Sequence, residues 1–236
     1  MGVKGLGKFV SKYSVERKLS FYEGKRVAID TSIYLYKFMW NSTPKQFLSK
    51  FHNQIKKFEQ NKIKPVYVFD GKPPEEKQGV IDKRHTTKVI KITGEDIFNL
   101  QKLFDSCGVS YVISDTEGEK YCAFLNKTHY VDFVLSNDYD CLTFGCKTLL
   151  VSKVGKFYEF TLDTILKNLN ITHRDFIDMC IAAGTDYCPA GIPGLGLKKS
   201  LKLVKEHGAL SDWGVKVPLK EAEGKVLCVL EQDALR

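Results

Sequence analysis

The 236-residue chain contains seven cysteines, but it has no CxxC pair and no Cys/His spacing typical of a zinc site. An odd cysteine count without a signal peptide indicates reduced thiols in an intracellular protein, not a disulfide framework. The longest apolar runs are far shorter than the roughly 20 residues of a membrane span. Position 6 is Leu6 instead of Ser or Thr, so Gly2 does not predict N-myristoylation. These absences argue against zinc modules, secreted disulfide-rich domains and membrane-spanning proteins.

The composition is that of an ordinary globular protein, with 43% hydrophobic and 27% charged residues. The length suits one large α/β domain, with or without a small appendage. The net charge is +8 although the chain carries 28 acids, so basic and acidic patches are expected to be segregated. A positive overall field favours a polyanion such as nucleic acid. An anionic membrane surface is the alternative, but no convincing basic amphipathic helix supports it.

Apolar segments and helical repeats alternate along the chain. Five short apolar runs predict strands at 25–30, 64–70, 109–114, 131–136 and 148–153. Apolar residues at helical spacing predict helices at 44–62, 94–108, 173–184 and 197–208, with further helices after residue 30 and from 116. Strands that alternate with helices predict a mostly parallel central sheet flanked by helices.

Seven carboxylates follow these apolar runs in short clusters. They are Asp30, Asp70, Glu117, Glu119, Asp138, Asp140 and Asp186. Right-handed crossovers would bring the carboxyl ends of the strands, and the first six of these acids, to one edge of the sheet. Acids this close repel one another without a counter-ion, and oxygen ligands suit Mg²⁺. The pattern predicts a divalent-metal site, although any single acid could instead be a helix cap or a solvated turn residue.

A second candidate site is the glycine-rich turn CPAGIPGLG, which precedes a basic helix. Its glycines permit a tight turn that exposes backbone amides, and a helix start of this kind binds phosphate without contacting bases. The basic residues beyond the turn are Lys198, Lys199, Lys202 and Lys205. An ordinary helix–helix connection is the alternative interpretation.

These stretches together resemble the flap endonuclease family, within the 5′-nuclease superfamily that includes the XPG-type nucleases. The matching segments are MGVKGL, VAIDTSIYLYKF, VYVFDGKPPEEK, TEGEKYCAFL, SNDYDCLTFG and AAGTDYCPAGIPGLGLKKS. The resemblance implies a 5′-nuclease (PIN-like) α/β fold with a helix–two-turn–helix element at about 173–208. It implies a single domain over 1–236, with an XPG N-terminal-type region at 1–110, an internal-type region at 111–208 and an extension at 209–236.

The resemblance also assigns roles to residues. All seven acids match the family's metal ligands, which implies two Mg²⁺ ions, with Mn²⁺ able to substitute. Lys77 and Arg84 match basic residues that reach the scissile phosphate, Tyr36 matches an aromatic on which a base stacks, and Gly2 matches a glycine beside the active site. The implied duplex-backbone contacts are Gly194, Gly196, Lys198, Lys199 and Lys202. A bound K⁺ is implied at the carbonyls of Gly191, Ile192 and Leu195.

Each single assignment has a plainer alternative. Lys77 and Arg84 could solubilise a loop, Tyr36 could pack in the core, and Gly2 could be incidental. Arg84 and Glu117 are only 33 positions apart, too few for the two helices that form an arch in many relatives, so we expect a shortened arch. The turn before Ile192 is one residue longer than the family pattern. The sequence shows no QxxLxxFF-like segment, so it does not predict a sliding-clamp partner. A monomer is expected.

The leading hypothesis from the sequence is a structure-specific 5′ nuclease, with 5′-flap endonuclease and 5′→3′ exonuclease activity on DNA at single-strand/double-strand junctions. Replication, repair and recombination are the expected settings, inside the cell. The expected site is the nucleus in a eukaryote or otherwise the site of DNA replication, including a viral factory. A junction resolvase or an RNase H-like 5′ exonuclease is the alternative. A non-catalytic DNA-structure-binding module ranks lower, because no acid of the set is replaced.

Overall fold

The computed structural model describes residues 2–40, 42–71, 92–186, 189, 191–210 and 213. In this part of the chain, seven strands form one sheet in the order β1-β7-β6-β5-β2-β3-β4. The strands are β1 (Val15–Arg17), β2 (Arg26–Asp30), β3 (Lys64–Phe69), β4 (Ser110–Ile113), β5 (Phe133–Leu135), β6 (Thr148–Lys153) and β7 (Lys156–Thr161). The predicted mostly parallel sheet flanked by helices is confirmed, since β6, β5, β2, β3 and β4 run parallel to one another.

The sequence patterns did not predict β1 and β7, which add an antiparallel edge to the parallel sheet. A two-residue turn joins β6 to β7, and its residues Val154 and Gly155 have φ values of 48° and 77°. Two positive φ values in succession suit the turn type that matches the twist of a hairpin. Strand β1 is only three residues long and pairs with β7, so its local sequence carries almost no pattern.

Eight α-helices flank the sheet in the described residues. They are α1 (Leu6–Val10), α2 (Thr31–Met39), α3 (Pro44–Gln60), α4 (Gly94–Ser106), α5 (Gly118–Lys127), α6 (Leu162–Leu169), α7 (His173–Ala183) and α8 (Leu197–His207). Capping boxes at Thr43, Thr93 and Thr172 begin α3, α4 and α7, since each hydroxyl accepts the third helical N–H and the third side chain accepts in return. The predicted helices are therefore present, with ends within a few residues of the expected ones.

The sheet separates two hydrophobic cores. On one side, Phe47 and Phe51 of α3 pack with Tyr67 of β3 and Phe104 of α4. The rings of Tyr67 and Phe104 are stacked, with centroids 4.2 Å apart. The other core joins residues of β5, β6 and β7 to α1, α5, α6, α7 and α8. Helices therefore pack on both faces of the sheet and bury the strands that lead to its carboxyl edge.

Residues 72–91, which include Lys77 and Arg84, lie outside the described part of the chain. Residues 94–113 beyond them form α4 and β4 of the main fold, so these residues are not available to an arch. The shortened arch stays a prediction. None of the described helices combines the length and the apolar character needed to cross a bilayer.

Candidate active site

The carboxyl edge of the parallel strands carries the predicted acids. Asp30 is the last residue of β2 and Asp70 directly follows β3. Glu117 is the N-cap of α5, and Asp138 begins the turn that follows β5. Because β2 pairs in parallel with both β3 and β5, these strand ends lie side by side. Topology alone therefore brings acids from distant parts of the chain to one edge.

Asp30 lies at the centre of this edge and is only 2% exposed. Burial, followed by the neighbouring charges of Asp70 and Asp138, raises the pKa of its carboxyl to about 7. Hydrogen bonds from the Ser136 hydroxyl and the Ile33 amide oppose this rise. A carboxyl shifted in this way is short of compensating positive charge. The site is thus arranged to gain from a bound cation.

Two groups hold Asp70 from different elements. The backbone N–H of Gly118 donates to its Oδ1 at 2.6 Å, and the hydroxyl of Ser32 donates to its Oδ2 at 2.5 Å. A Cβ at position 118 would lie 2.7 Å from Asp70 Oδ1 and 3.7 Å from Asp30 Oδ1. The absence of a side chain at Gly118 therefore lets both carboxylates approach the first turn of α5.

Ser136 connects the carboxylate of β2 to the loop after β5. Its Oγ donates to Oδ2 of Asp30 at 3.1 Å and accepts the N–H of Asp138 at 3.0 Å. Oδ1 of Asp138 in turn accepts the N–H of Asp140 at 3.0 Å. One hydrogen-bond network therefore connects Asp30, Asp138 and Asp140.

The N-terminal residues lie against the remaining acids. The N–H of Val3 donates to Asp140 Oδ1 at 2.7 Å, and the N–H of Gly2 donates to Asp186 Oδ1 at 3.3 Å. Gly2 has φ of 92°, and a Cβ there would collide with the carboxylate of Asp140 and lie 2.7 Å from Oδ1 of Asp138. The structure thus places Gly2 beside three acids, as expected, and its contact with DNA stays a prediction.

Glu117 and Glu119 lie at the start of α5, where the helix dipole favours negative charge. The backbone of this turn contacts the segment that contains Asp138 and Asp140. The Cys141 thiol donates to the Glu119 carbonyl oxygen at 3.8 Å. Cys122, one turn further along, is fully buried, and burial, followed by nearby acidic groups including Asp30 and Glu119, raises the pKa of its thiol. This thiol is therefore unsuited to act as a nucleophile.

The residues present fit divalent cations. Oδ1 of Asp30 is buried and has no hydrogen-bond partner among the described residues, so one ligand oxygen is directed into the site without compensation. The donors are carboxylates, the ligand type preferred by Mg²⁺. Within the described ranges, no three acidic, His or Cys side chains already surround one point.

Tyr36 lies on the helix that begins directly after Asp30. Its side chain is 54% exposed, whereas Tyr34 and Leu35 of the same helix are each 4% exposed. The core-packing alternative for this ring therefore does not hold. A cleft of about 380 Å³ lies beside the acids and is lined by Gly2, Ile33 and Asp138, among others. The exposed Tyr36 ring follows the cleft residue Ile33 by three positions on the same helix and is available to a stacked partner.

The glycine-rich turn joins α7 to α8, as the sequence predicts. Gly191 and Gly194 have φ of 52° and 78°, and a Cβ at Gly191 would lie 2.7 Å from the Ala182 carbonyl oxygen. The N–H of Ile192 donates to that oxygen at 2.8 Å, and the N–H of Leu195 donates to the Ile192 carbonyl at 3.0 Å. These bonds define a tight turn, and the K⁺ ligands Gly191, Ile192 and Leu195 stay a prediction.

Helix α8 begins at this turn and carries the basic residues. Gly196 is its N-cap, and Lys198, Lys199 and Lys202 are exposed along it. The ammonium of Lys199 donates to the Gly194 carbonyl at 3.2 Å, while Lys202 pairs with Glu206 at 3.6 Å. The exposed N-cap Gly196 and three exposed lysines therefore lie on one solvent-facing segment.

Sequence reasoning missed three residues that position the acids: Ser32, Gly118 and Ser136. Each is within two positions of a predicted ligand, but a small polar residue beside an acid is common in any turn. Gly118 could have been identified from its position between two acids at the start of a helix. A side chain there would face the carboxyl edge of the sheet, where the acids lie. The serines carried no comparable signal.

Comparison with known proteins agrees with this arrangement. The XPG N-terminal domain matches residues 1–90, and the XPG I-region matches residues 108–186. Flap endonuclease 1 of Danio rerio is 31% identical over 260 residues, covering 90% of this chain and 68% of that protein. Flap endonuclease 1 of Homo sapiens is 30% identical with the same coverage.

Solved structures extend the likeness to three dimensions. The catalytic core of Rad2 in complex with DNA substrate superposes with a TM-score of 0.79 at 26% identity, covering 90% of this chain and 70% of that chain. Flap endonuclease-1 from Methanococcus jannaschii superposes with a TM-score of 0.72 at 25% identity, covering 89% and 79%. Human GEN1 in complex with Holliday junction DNA gives 0.72 at 25% identity, covering 86% and 55%. The chain therefore belongs to the flap endonuclease family of XPG-type, structure-specific 5′ nucleases.

Proposed function

We propose that this 5′ nuclease hydrolyses DNA at single-strand/double-strand junctions with two Mg²⁺ ions, leaving a 5′-phosphate and a 3′-hydroxyl. The supporting observation is Asp30, whose buried Oδ1 is unsatisfied beside the charges of Asp70 and Asp138. Cutting of 5′ flaps and 5′→3′ exonuclease digestion are the two activities proposed for this site. The setting that fits is DNA replication, repair or recombination inside the cell.

The proposed metal ligands are the seven acids, Asp30, Asp70, Glu117, Glu119, Asp138, Asp140 and Asp186. When bound, the ions supply charge for the developing phosphate oxyanions and acidify the attacking water. The protein's own contribution is to hold the ligands, through Ser136 on Asp30 and through Ser32 and Gly118 on Asp70. No serine or cysteine nucleophile is required, and the buried Cys122 thiol is not one.

The proposed DNA contacts come from separate segments of the chain. The start of α8, with Gly194, Gly196, Lys198, Lys199 and Lys202, would hold duplex phosphates, with or without a K⁺ in the preceding turn. Stacking on Tyr36 would hold an unpaired base without reading its identity. Lys77 and Arg84 would contact the phosphate to be cut. Backbone contacts of this kind predict recognition of DNA structure, not of sequence.

The direct experiment is cleavage of an end-labelled 5′-flap DNA in Mg²⁺ by wild-type protein, Asp138→Ala and Asp163→Ala. Asp163 is an exposed acid in the first turn of α6, so it controls for the loss of one negative charge. We expect cleavage by wild type and Asp163→Ala and severe loss in Asp138→Ala. Equal cleavage by all three proteins, or none by wild type, would contradict the proposal. Tight DNA binding in EDTA without turnover in Mg²⁺ would instead indicate a non-catalytic binder.

Four-way junction cleavage is a second candidate activity. The likeness to human GEN1 bound to Holliday junction DNA favours it, as does the short segment available for an arch between β3 and α4. A matched panel of flap, nick, gap, bubble and four-way junction substrates, with product mapping, separates the two. A preference for the intact junction, cut symmetrically, would favour resolution over flap removal.

A further inference from the structure

Ser136 lies directly after β5 and is fully buried, with 0% exposure. Its Oγ accepts the N–H of Asp138 at 3.0 Å and lies 3.1 Å from Oδ2 of Asp30. A serine hydroxyl has one proton to donate, and an ionised carboxylate only accepts. The hydroxyl proton is therefore directed at Asp30, while the oxygen's lone pair receives the amide of Asp138.

This bond, together with the Ile33 amide that also acts on the Asp30 carboxyl, limits where the other oxygen of Asp30 points. The two oxygens of a carboxylate lie in one plane at a fixed angle. When a hydrogen bond fixes the position of Oδ2, the position of Oδ1 is fixed as well. Oδ1 is the buried oxygen without a hydrogen-bond partner in the described part of the chain. The Ser136 bond therefore presents this oxygen to the space shared with Asp70, where a cation would use it.

The same hydroxyl also sets the spacing between two ligand-bearing segments. Asp30 ends β2 and Asp138 follows β5, and the two strands pair in parallel, with Ile29 opposite Leu135. The backbone ladder ends at that pair, so the residues beyond it need another connection. The paired bonds of Ser136 supply it across 106 positions of the sequence.

We propose that Ser136 is a positioning residue for the metal site, holding Asp30 and Asp138 in the mutual geometry that binds a divalent cation. The inference rests on the proposed function, because it concerns the affinity of the same ions. Residues that hold metal ligands through hydrogen bonds commonly change metal affinity or activity by about 10- to 100-fold when removed.

The chain contains a closely matched control. Ser114 directly follows β4, is 3% exposed, and its Oγ accepts the N–H of Thr116 at 3.0 Å, two residues ahead, just as Ser136 accepts from Asp138. Its Oγ contacts the Thr116 hydroxyl at 3.4 Å instead of a carboxylate. Ser114→Ala thus removes the same local turn bond without removing a contact to a proposed ligand.

The test is calorimetric titration of Mn²⁺ into wild type, Ser136→Ala and Ser114→Ala without DNA, with thermal unfolding of each protein. We expect the Mn²⁺ dissociation constant of Ser136→Ala to rise about 10- to 100-fold and that of Ser114→Ala to stay within about twofold of wild type. The Mg²⁺ concentration for half-maximal flap cleavage should rise in parallel for Ser136→Ala alone. If Ser136→Ala does not fold, the isosteric pair Ser136→Thr and Ser136→Val, which differ only by the hydroxyl, replaces it.

Equal Mn²⁺ affinity in Ser136→Ala and wild type, or in the Thr and Val variants, would overturn the inference while leaving the proposed function intact. An equal loss in Ser114→Ala would show that turn stability is the cause, and would also overturn it. A wild-type protein that binds no Mn²⁺ and cuts no flap would overturn both proposals together.

Discussion

The backbone N–H of Gly118 lies 2.6 Å from Oδ1 of Asp70, a residue 48 positions earlier in the chain. The bond joins the first turn of α5 to the end of β3. The Ser32 hydroxyl of α2 holds the other oxygen of the same carboxylate. Three elements thus meet on one side chain, so a change in any of them should be felt at the proposed metal site.

Gly118→Ala should therefore impair catalysis more than folding. The added methyl carbon would lie 2.7 Å from Asp70 Oδ1, which forces the carboxylate or the helix to move. We expect the single-turnover rate of flap cleavage to fall about 10- to 100-fold, as for the loss of other groups that hold metal ligands. Single-turnover cleavage over a range of Mg²⁺ concentrations measures it.

The control for this change is Gly94→Ala. Gly94 is likewise the first residue of a helix, α4, but a Cβ there would have no atom within 4 Å. Gly94→Ala should keep wild-type activity and gain slightly in helix stability. Similar activity losses in both variants would show that the contact with Asp70 is not the cause.

Gly2→Ala should also reduce activity. Gly2 combines φ of 92° with a close approach to the carboxylates of Asp138 and Asp140, so a methyl group would be strained and would displace both acids. The matched control is Gly5→Ala, where φ is 79° but no atom lies within 4 Å of the added carbon. We expect Gly5→Ala to lose about 1 kcal/mol of stability with near-normal kcat.

Circular-dichroism melts and flap-cleavage rates of both glycine variants decide the question. A Gly2→Ala protein that cleaves at the wild-type rate would remove the N-terminal segment from the proposed site. Equal activity losses in the two variants would instead point to backbone strain.

Lys198→Glu combined with Lys199→Glu should weaken DNA binding equally on every sequence. Both lysines are exposed on α8 beside the glycine-rich turn. Each lost phosphate contact reduces the slope of log affinity against log salt concentration by about 0.9 on duplex DNA. Fluorescence anisotropy with several unrelated duplexes, over a salt series, measures both effects.

The control also replaces two exposed lysines with glutamates, but at the amino edge of the parallel strands, away from the acids. Lys56→Glu with Lys64→Glu alters two exposed lysines near the amino end of β3. This variant should retain the wild-type salt slope apart from a small long-range effect. Sequence-selective loss of binding in the α8 variant would argue against a contact with the backbone alone.

Stability should fall in alkali partly because of Tyr22. Its buried hydroxyl donates to Glu159 Oε2 at 2.6 Å, and Arg17 pairs with Oε1 of the same carboxylate at 3.2 Å. Burial, followed by the bond to Glu159, raises the pKa of Tyr22 well above its usual range. Above about pH 10 the unfolded tyrosine loses a proton that the folded one keeps, so rising pH favours unfolding by up to about 1.4 kcal/mol per pH unit.

Urea unfolding at pH 8 to 11 tests whether the free energy of unfolding falls as the pH rises. Tyr22→Phe should be less stable than wild type at pH 8, because Glu159 loses a hydrogen bond, yet its stability should decline less steeply above pH 10. Tyr130→Phe, at a tyrosine that is 55% exposed, should follow the wild-type slope. Parallel declines in all three proteins would contradict the assignment.

Local patterns were sufficient for much of the fold. Apolar runs located the five parallel strands, and apolar residues at helical spacing located α3 through Phe47, Phe51 and Phe58, all of which are buried. The carboxyl-edge rule for parallel sheets then placed Asp30, Asp70 and Asp138 together. These features depend on the spacing of apolar residues and on the direction of the chain through each strand. Both can be read from a linear sequence.

Tertiary structure decided the rest. The bond from Ser136 to Asp30 spans 106 positions, and the bond from Val3 to Asp140 spans 137. The antiparallel edge formed by β1 and β7 likewise depends on pairing across distant segments. Whether a hydroxyl or an amide reaches a carboxylate depends on distances of a few tenths of an ångström, which are set by packing of the whole chain. The sequence by itself indicated that Asp30, Asp70 and Asp138 lie at one edge of the sheet, because chain direction fixes where parallel strands end. Only the folded structure determined which of their oxygens are held and which one has no partner among the described residues.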